Sequence, residues 1–125
     1  GKRMKASEML DRVDTFKPNQ YTEPQKLGWL LQLDGQIWRE IIRTHEGGED
    51  IAQPDGSAGV ERELLVPEPW AGDLYNYWLQ AMIDRENGEI GKYNQTSQLY
   101  NQAYLTYAGY YNRTHMPIGC GPMKI

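Results

Sequence analysis

The sequence predicts an all-α subunit of four helices with a long acidic loop between the second and third. Three observations carry this. Apolar residues recur at spacings of three and four in four separate runs. Proline, glycine and capping residues bound each run. Between the second and third runs, residues 46–63 hold four glycines (Gly47, Gly48, Gly56, Gly59) and six carboxylates (Glu46, Glu49, Asp50, Asp55, Glu61, Glu63) against Arg62 alone. At 125 residues, with 39% hydrophobic and 24% charged residues and a net charge of -4, the chain has the size and balance of one globular domain.

The first helix is expected over residues 7–17, with Ser7 as its cap and Met9, Val13 and Phe16 on its apolar face. Pro18 stops it, because a proline disfavours helical geometry at the residue before it. The second is expected over 22–45. Thr22 and Gln25 have the spacing of a capping box, with Pro24 in the first turn. Leu27, Leu30, Leu31, Ile37, Trp38, Ile41 and Ile42 follow at helical spacing, and Gly47-Gly48 ends the run. Asp34-Gly35 interrupts the apolar phase and predicts a bend or a close helix crossing.

The loop has few apolar residues to offset the conformational entropy of ordering it, about 1–2 kcal/mol per residue, so its order is expected to come from a partner. Leu64-Leu65-Val66 is expected to be extended and to anchor the loop's end to the body. Pro67-Glu68-Pro69 then launches a third helix around Trp70, over 70–87. Leu74, Trp78 and Met82 beside Tyr75, Leu79 and Ile83 give it one broad apolar face. The Asn87-Gly88 turn is short enough to force an antiparallel fourth helix, over 89–112.

That helix is the most informative stretch. Tyr93, Ser97, Tyr100, Tyr104, Tyr107 and Tyr111 form a stripe widened by Leu99, Ala103 and Tyr110, and no charged residue lies between Lys92 and Arg113. Each tyrosine has an apolar body and a polar tip that needs a partner when buried. Part of the stripe is expected to pack within the chain and part against another molecule. The residues expected at such an interface are Tyr93, Tyr100, Tyr107, Tyr110, Tyr111 and Trp70, together with Glu49, Asp50 and Asp55 of the acidic loop.

Catalytic chemistry has little to stand on. His45 with Glu40 and Glu46, and His115 with Cys120, lack the paired spacing of zinc ligands. His45 and His115 are expected instead at helix C-termini, where the dipole favours them. Asp84 and Glu86 beside Arg85 look like a solvated face. No nucleophile elbow or phosphate-binding glycine loop occurs. The chain is therefore expected not to be an enzyme, with no catalytic, cofactor or metal residue. The single cysteine fits a reducing compartment. The polar N-terminus predicts neither a signal peptide nor a membrane span, and the acidic balance argues against gripping nucleic acid.

Several residues carry a family resemblance. They are Leu64-Leu65-Val66-Pro67-Glu68-Pro69, Leu74-Tyr75, Trp78-Leu79, Ile83-Asp84 and Asn87-Gly88-Glu89, followed by Tyr93-Asn94, Leu99-Tyr100-Asn101, Ala103-Tyr104 and the run from Tyr111 to Pro117. With these, the chain resembles head-to-tail connector, or adaptor, proteins of tailed phages and Gram-positive prophages. The likeness runs from about residue 22 to 117 and is strongest after 64; the acidic loop and the residues after Pro117 depart from it. It implies a homo-oligomeric ring in the virion neck, assembled in the bacterial cytoplasm. Its partners would be the portal protein and a tail or stopper protein, with double-stranded DNA passing through the lumen without specific binding. A tail-completion or stopper protein, or a small phage-encoded host-interaction protein, is the alternative.

Overall fold

The computed structural model describes residues 2–118. Four α-helices make the body: α1 (Ala6–Phe16), α2 (Glu23–Ile37), α3 (Ala71–Glu86) and α4 (Ile90–Thr114). Among the described residues β-pairing is limited to isolated bridges, Lys5 with Glu63 and His45 with Pro117.

The N-terminus of α1 differs from the expectation. The helix begins one residue earlier, and the backbone N–H of Lys5 donates to Glu8 Oε1 at 2.8 Å, so Glu8 rather than Ser7 closes the first turn. Met9, Leu10 and Val13 are buried, whereas Phe16 is 69% exposed. Phe16 occupies the last turn, beyond the reach of the body.

The α2 start follows the capping box. Gln25 N–H donates to Thr22 Oγ1 at 3.3 Å and Thr22 N–H to Gln25 Oε1 at 3.0 Å. Beyond Ile37 the helix continues as one π-helical turn, Trp38–Ile42, and ends there, short of residue 45. A π-turn inserts an extra residue and shifts the helical phase, which keeps Ile37, Ile41 and Ile42 all buried. A Cβ on Gly35 would meet only the Arg39 side chain, so the irregularity is a phase shift and not a close crossing of helices. At Gly48 a Cβ would lie 2.0 Å from the Ile42 carbonyl oxygen. Glycine is thus required where the chain folds back over the end of the π-turn.

Residues 46–63 are more structured than a bare loop. They include two 3-10 turns, Gly48–Asp50 and Gly59–Glu61. Trp38 Nε1–H donates to the Ile51 carbonyl at 2.8 Å, and Arg62 pairs with buried Asp34 at 2.8 Å. The segment's ends are therefore held by the body. Leu64 and Val66 are fully buried, and Leu64 N–H donates to the Met4 carbonyl at 2.7 Å, so the extended stretch also fixes the N-terminal residues.

Helix α3 is central, packing on α1, α2 and α4. Asn87 and Gly88, the latter at φ 74°, reverse the chain into α4. Trp78 faces Tyr100, and Trp70 faces Tyr107 and Tyr110, an order that makes α3 and α4 antiparallel. Asp84 corrects the expectation of a solvated face. It is fully buried between helices, where it pairs with Lys17 and accepts from Thr96 Oγ1 at 3.1 Å.

Candidate interaction surface

The tyrosine stripe of α4 divides between interior and surface. Tyr100, Tyr107 and Tyr111 lie inside the chain's own core. Trp78 sits 5.1 Å from Tyr100, centroid to centroid, and Tyr107 lies 5.9 Å from Tyr111. Trp70 stacks on Tyr110 at 4.1 Å and lies 5.6 Å from Tyr107. Burial pushes the Tyr100 phenol up to about 12, with the Glu40 charge adding to the effect. It also raises Tyr104, whose hydroxyl donates to Glu40, and Tyr107. Tyr100 and Tyr107 pack in the α3–α4 seam and Tyr111 packs beside His45, so these three do not present themselves outward. Trp70, Tyr110 and Tyr93 remain partly exposed.

The surface of α4 comes from the residues between the tyrosines. Asn94, Gln95, Gln98, Asn101, Gln102 and Thr106 are exposed, and none carries a charge. Leu99 is 44% and Leu105 68% exposed among them. Beside this face a cleft of about 240 Å³ is lined by Pro69, Trp70, Asp73, Ala103 and Thr106. At 25 residues α4 is about 37 Å long. Leu105 had no place in the stripe of residues spaced by three and four. The signal that covers it is the absence of charge across 93–112, which applies to every face of the helix.

The acidic residues are also exposed. Glu49 and Asp50 occupy the first 3-10 turn, and Asp55 accepts from Ser57 N–H at 2.8 Å and Ser57 Oγ at 2.6 Å, which lowers its carboxyl. Ile51, next to Asp50, reaches the same pocket as Tyr107, Tyr110 and Tyr111. The acidic turn therefore lies at the C-terminal end of α4.

Among the described residues, no three His, Cys, Asp or Glu side chains converge as a metal ion needs. His45 is buried, with Nδ1–H donating to the Ile41 carbonyl at 2.6 Å at the end of the π-turn. Its ring meets Tyr111 edge-on at 5.2 Å. The suggested partner of His115, Cys120, lies outside the described residues. No described helix is long and apolar enough to cross a membrane. No family model, curated protein or solved structure matches the chain.

Proposed function

We propose that this chain is a structural virion protein, an adaptor subunit that assembles as a ring between portal and tail and leaves a conduit for DNA. The observation that carries the reading is the outward face of α4, a helix of 25 residues with no charge from Tyr93 to Asn112 and with Leu99 and Leu105 exposed. Surface charge is costly to desolvate in an interface, and the interior of a contact patch is depleted in it. A chain with 24% charged residues that keeps one long face free of charge has a surface suited to another protein. A ring needs such a face to meet a different patch on the next copy. The exposed carboxylates at Glu49, Asp50 and Asp55 offer a complementary contact for a basic patch on the portal or the next ring. The resemblance in the segments after Leu64 supports the same reading.

The test is assembly on the portal encoded in the same genome. Purified chain and portal rings are mixed and imaged, with Leu105→Glu run beside the wild-type chain. Wild-type rings capping the portal, lost in Leu105→Glu while its helical circular dichroism is unchanged, are the expected result. A chain that neither associates with the portal nor occurs in purified necks would overturn the reading.

A further inference from the structure

A second feature is independent of assembly. Between the N-terminal residues and the end of α4 lies a pocket of about 200 Å³. Its apolar wall includes Ile42, Ile51 and Leu65, and its polar wall includes Arg3, Tyr107, Tyr111 and His115. Tyr107 is 3% and Tyr111 6% exposed, yet neither hydroxyl has a hydrogen-bond partner among the described residues. No fully enclosed polar side-chain atom there is left unpaired, so both hydroxyls are reached from the pocket that their residues line. Both hydroxyls are thus open to water, and a ligand entering the pocket can take the place of that water as their partner.

The remaining polar groups select the charge of that partner. Arg3 donates from Nε to the Leu65 carbonyl at 3.1 Å, and among the described residues it has no carboxylate. Arg3 lines the same pocket as both phenols, and its positive charge partly offsets the rise that burial gives each of them. His115 stacks on Tyr111 at 3.8 Å with its ring nearly parallel. Among the described residues, no aspartate or glutamate lines the pocket. One cation, two phenol donors and no acid suit a monoanion, and a guanidinium matches the plane of a carboxylate better than a point charge does.

Size sets the rest. A dry cavity of about 150 Å³ holds a benzene-sized body, whereas drug-sized ligands need about 300 Å³ or more. We propose that this pocket binds a carboxylate borne on a benzene-sized apolar body, held by Arg3, Tyr107 and Tyr111, with the body against Ile42, Ile51 and Leu65. A free aryl or branched aliphatic acid presents this chemistry, and so does the chain end of a peptide with an apolar last residue.

Nuclear magnetic resonance titration of the full chain separates the possibilities. The probes are phenylacetate and acetyl-Gly-Gly-Leu with a free carboxylate, each beside its amide. Saturable shifts are expected at Arg3 and over 107–115, with the amide of the tighter acid at least about tenfold weaker. Arg3→Gln is expected to weaken the acid about tenfold and leave the amide unchanged. Arg3 is a surface residue, so this variant keeps the fold; Tyr107→Phe is the second variant, expected to weaken the acid about threefold. The probe that saturates at the lower concentration assigns the source of the carboxylate. Absence of saturation by both acids, equal affinity of acid and amide, or unchanged binding in Arg3→Gln would overturn the proposal.

Discussion

The hydroxyl of Tyr75 donates to Asp34 Oδ1 at 2.5 Å, joining α3 to α2 at a point where both side chains are fully buried. The same hydroxyl accepts from Val66 N–H at 2.8 Å. Asp34 Oδ2 accepts from Arg62 Nη1 at 2.8 Å and from Leu65 N–H at 3.1 Å. Two helices and the stretch after the acidic segment thus share one carboxylate. A buried charge is tolerated only when paired and hydrogen-bonded. Removing any one donor leaves the others with a cost.

Tyr75→Phe keeps the ring and its packing while removing this donor and leaving Val66 N–H unpaired. A hydrogen bond to a charged acceptor contributes about 1.5–3 kcal/mol, and a buried unsatisfied amide costs about 1–3 kcal/mol. The expected loss is about 3 kcal/mol. It should be seen as a lower urea midpoint at an unchanged slope.

Asp34 also sets a pH dependence. Burial raises its carboxyl above 3.8, and the bonds from Tyr75, Arg62 and Leu65 offset this only in part. A carboxyl raised on folding holds its proton more tightly in the folded state. Its contribution is therefore fully present below 3.8 and is lost as pH rises through the folded value. The stability of the wild-type chain relative to Asp34→Asn should be greatest below pH about 4 and shrink as pH rises. Urea unfolding at a series of pH values measures the difference.

The phenols place a second transition in alkali. Tyr75, Tyr100, Tyr104, Tyr107 and Tyr111 are all raised above 10.0, chiefly by burial. Their contribution is fully present below pH 10 and is lost as pH rises toward the folded values, about 12 for Tyr100. These five should ionise together with loss of helix. Phenolate absorbance and far-ultraviolet circular dichroism, followed in one titration above pH 10, should change together.

How much of this was legible differs by residue. The α2 capping box, the Asn87-Gly88 reversal and the anchoring of Leu64 and Val66 follow from local chemistry, which a sequence displays directly. Asp34 announced itself as a carboxylate in the apolar phase. Its partners lie 28 to 41 positions away, and no spacing rule links them. In the sequence Asp84 groups with its exposed neighbours Arg85 and Glu86, because adjacency is visible there and the distant partners Lys17 and Thr96 are not. On α4 the periodicity identifies the side that packs inward, where Tyr100, Tyr107 and Tyr111 join the core while Tyr93, Tyr104 and Tyr110 stay partly exposed. The surface that remains was legible only as a lack of charge.

The acidic segment yields the last prediction. Composition alone left its order to a partner, since few of its residues are apolar. Among the ties that the body supplies are Trp38 to the Ile51 carbonyl at 2.8 Å, Arg62 to Asp34 at 2.8 Å and Lys5 to Glu61 at 3.0 Å. The last is an exposed pair and contributes little, about 0–1 kcal/mol. The other two hold the segment near either end, and between them residues 52, 53 and 55–58 are exposed. Amide hydrogen exchange in the isolated chain should therefore be fast over 52–58 and slower around Ile51 and Arg62, because local opening follows local contact. Trp38→Phe removes the indole donor and keeps an aromatic ring in place. It should speed exchange from 48 to 51 without changing exchange in α3 and α4. Adding the assembly partner should then slow exchange across 52–58, the part that the body leaves unsupported.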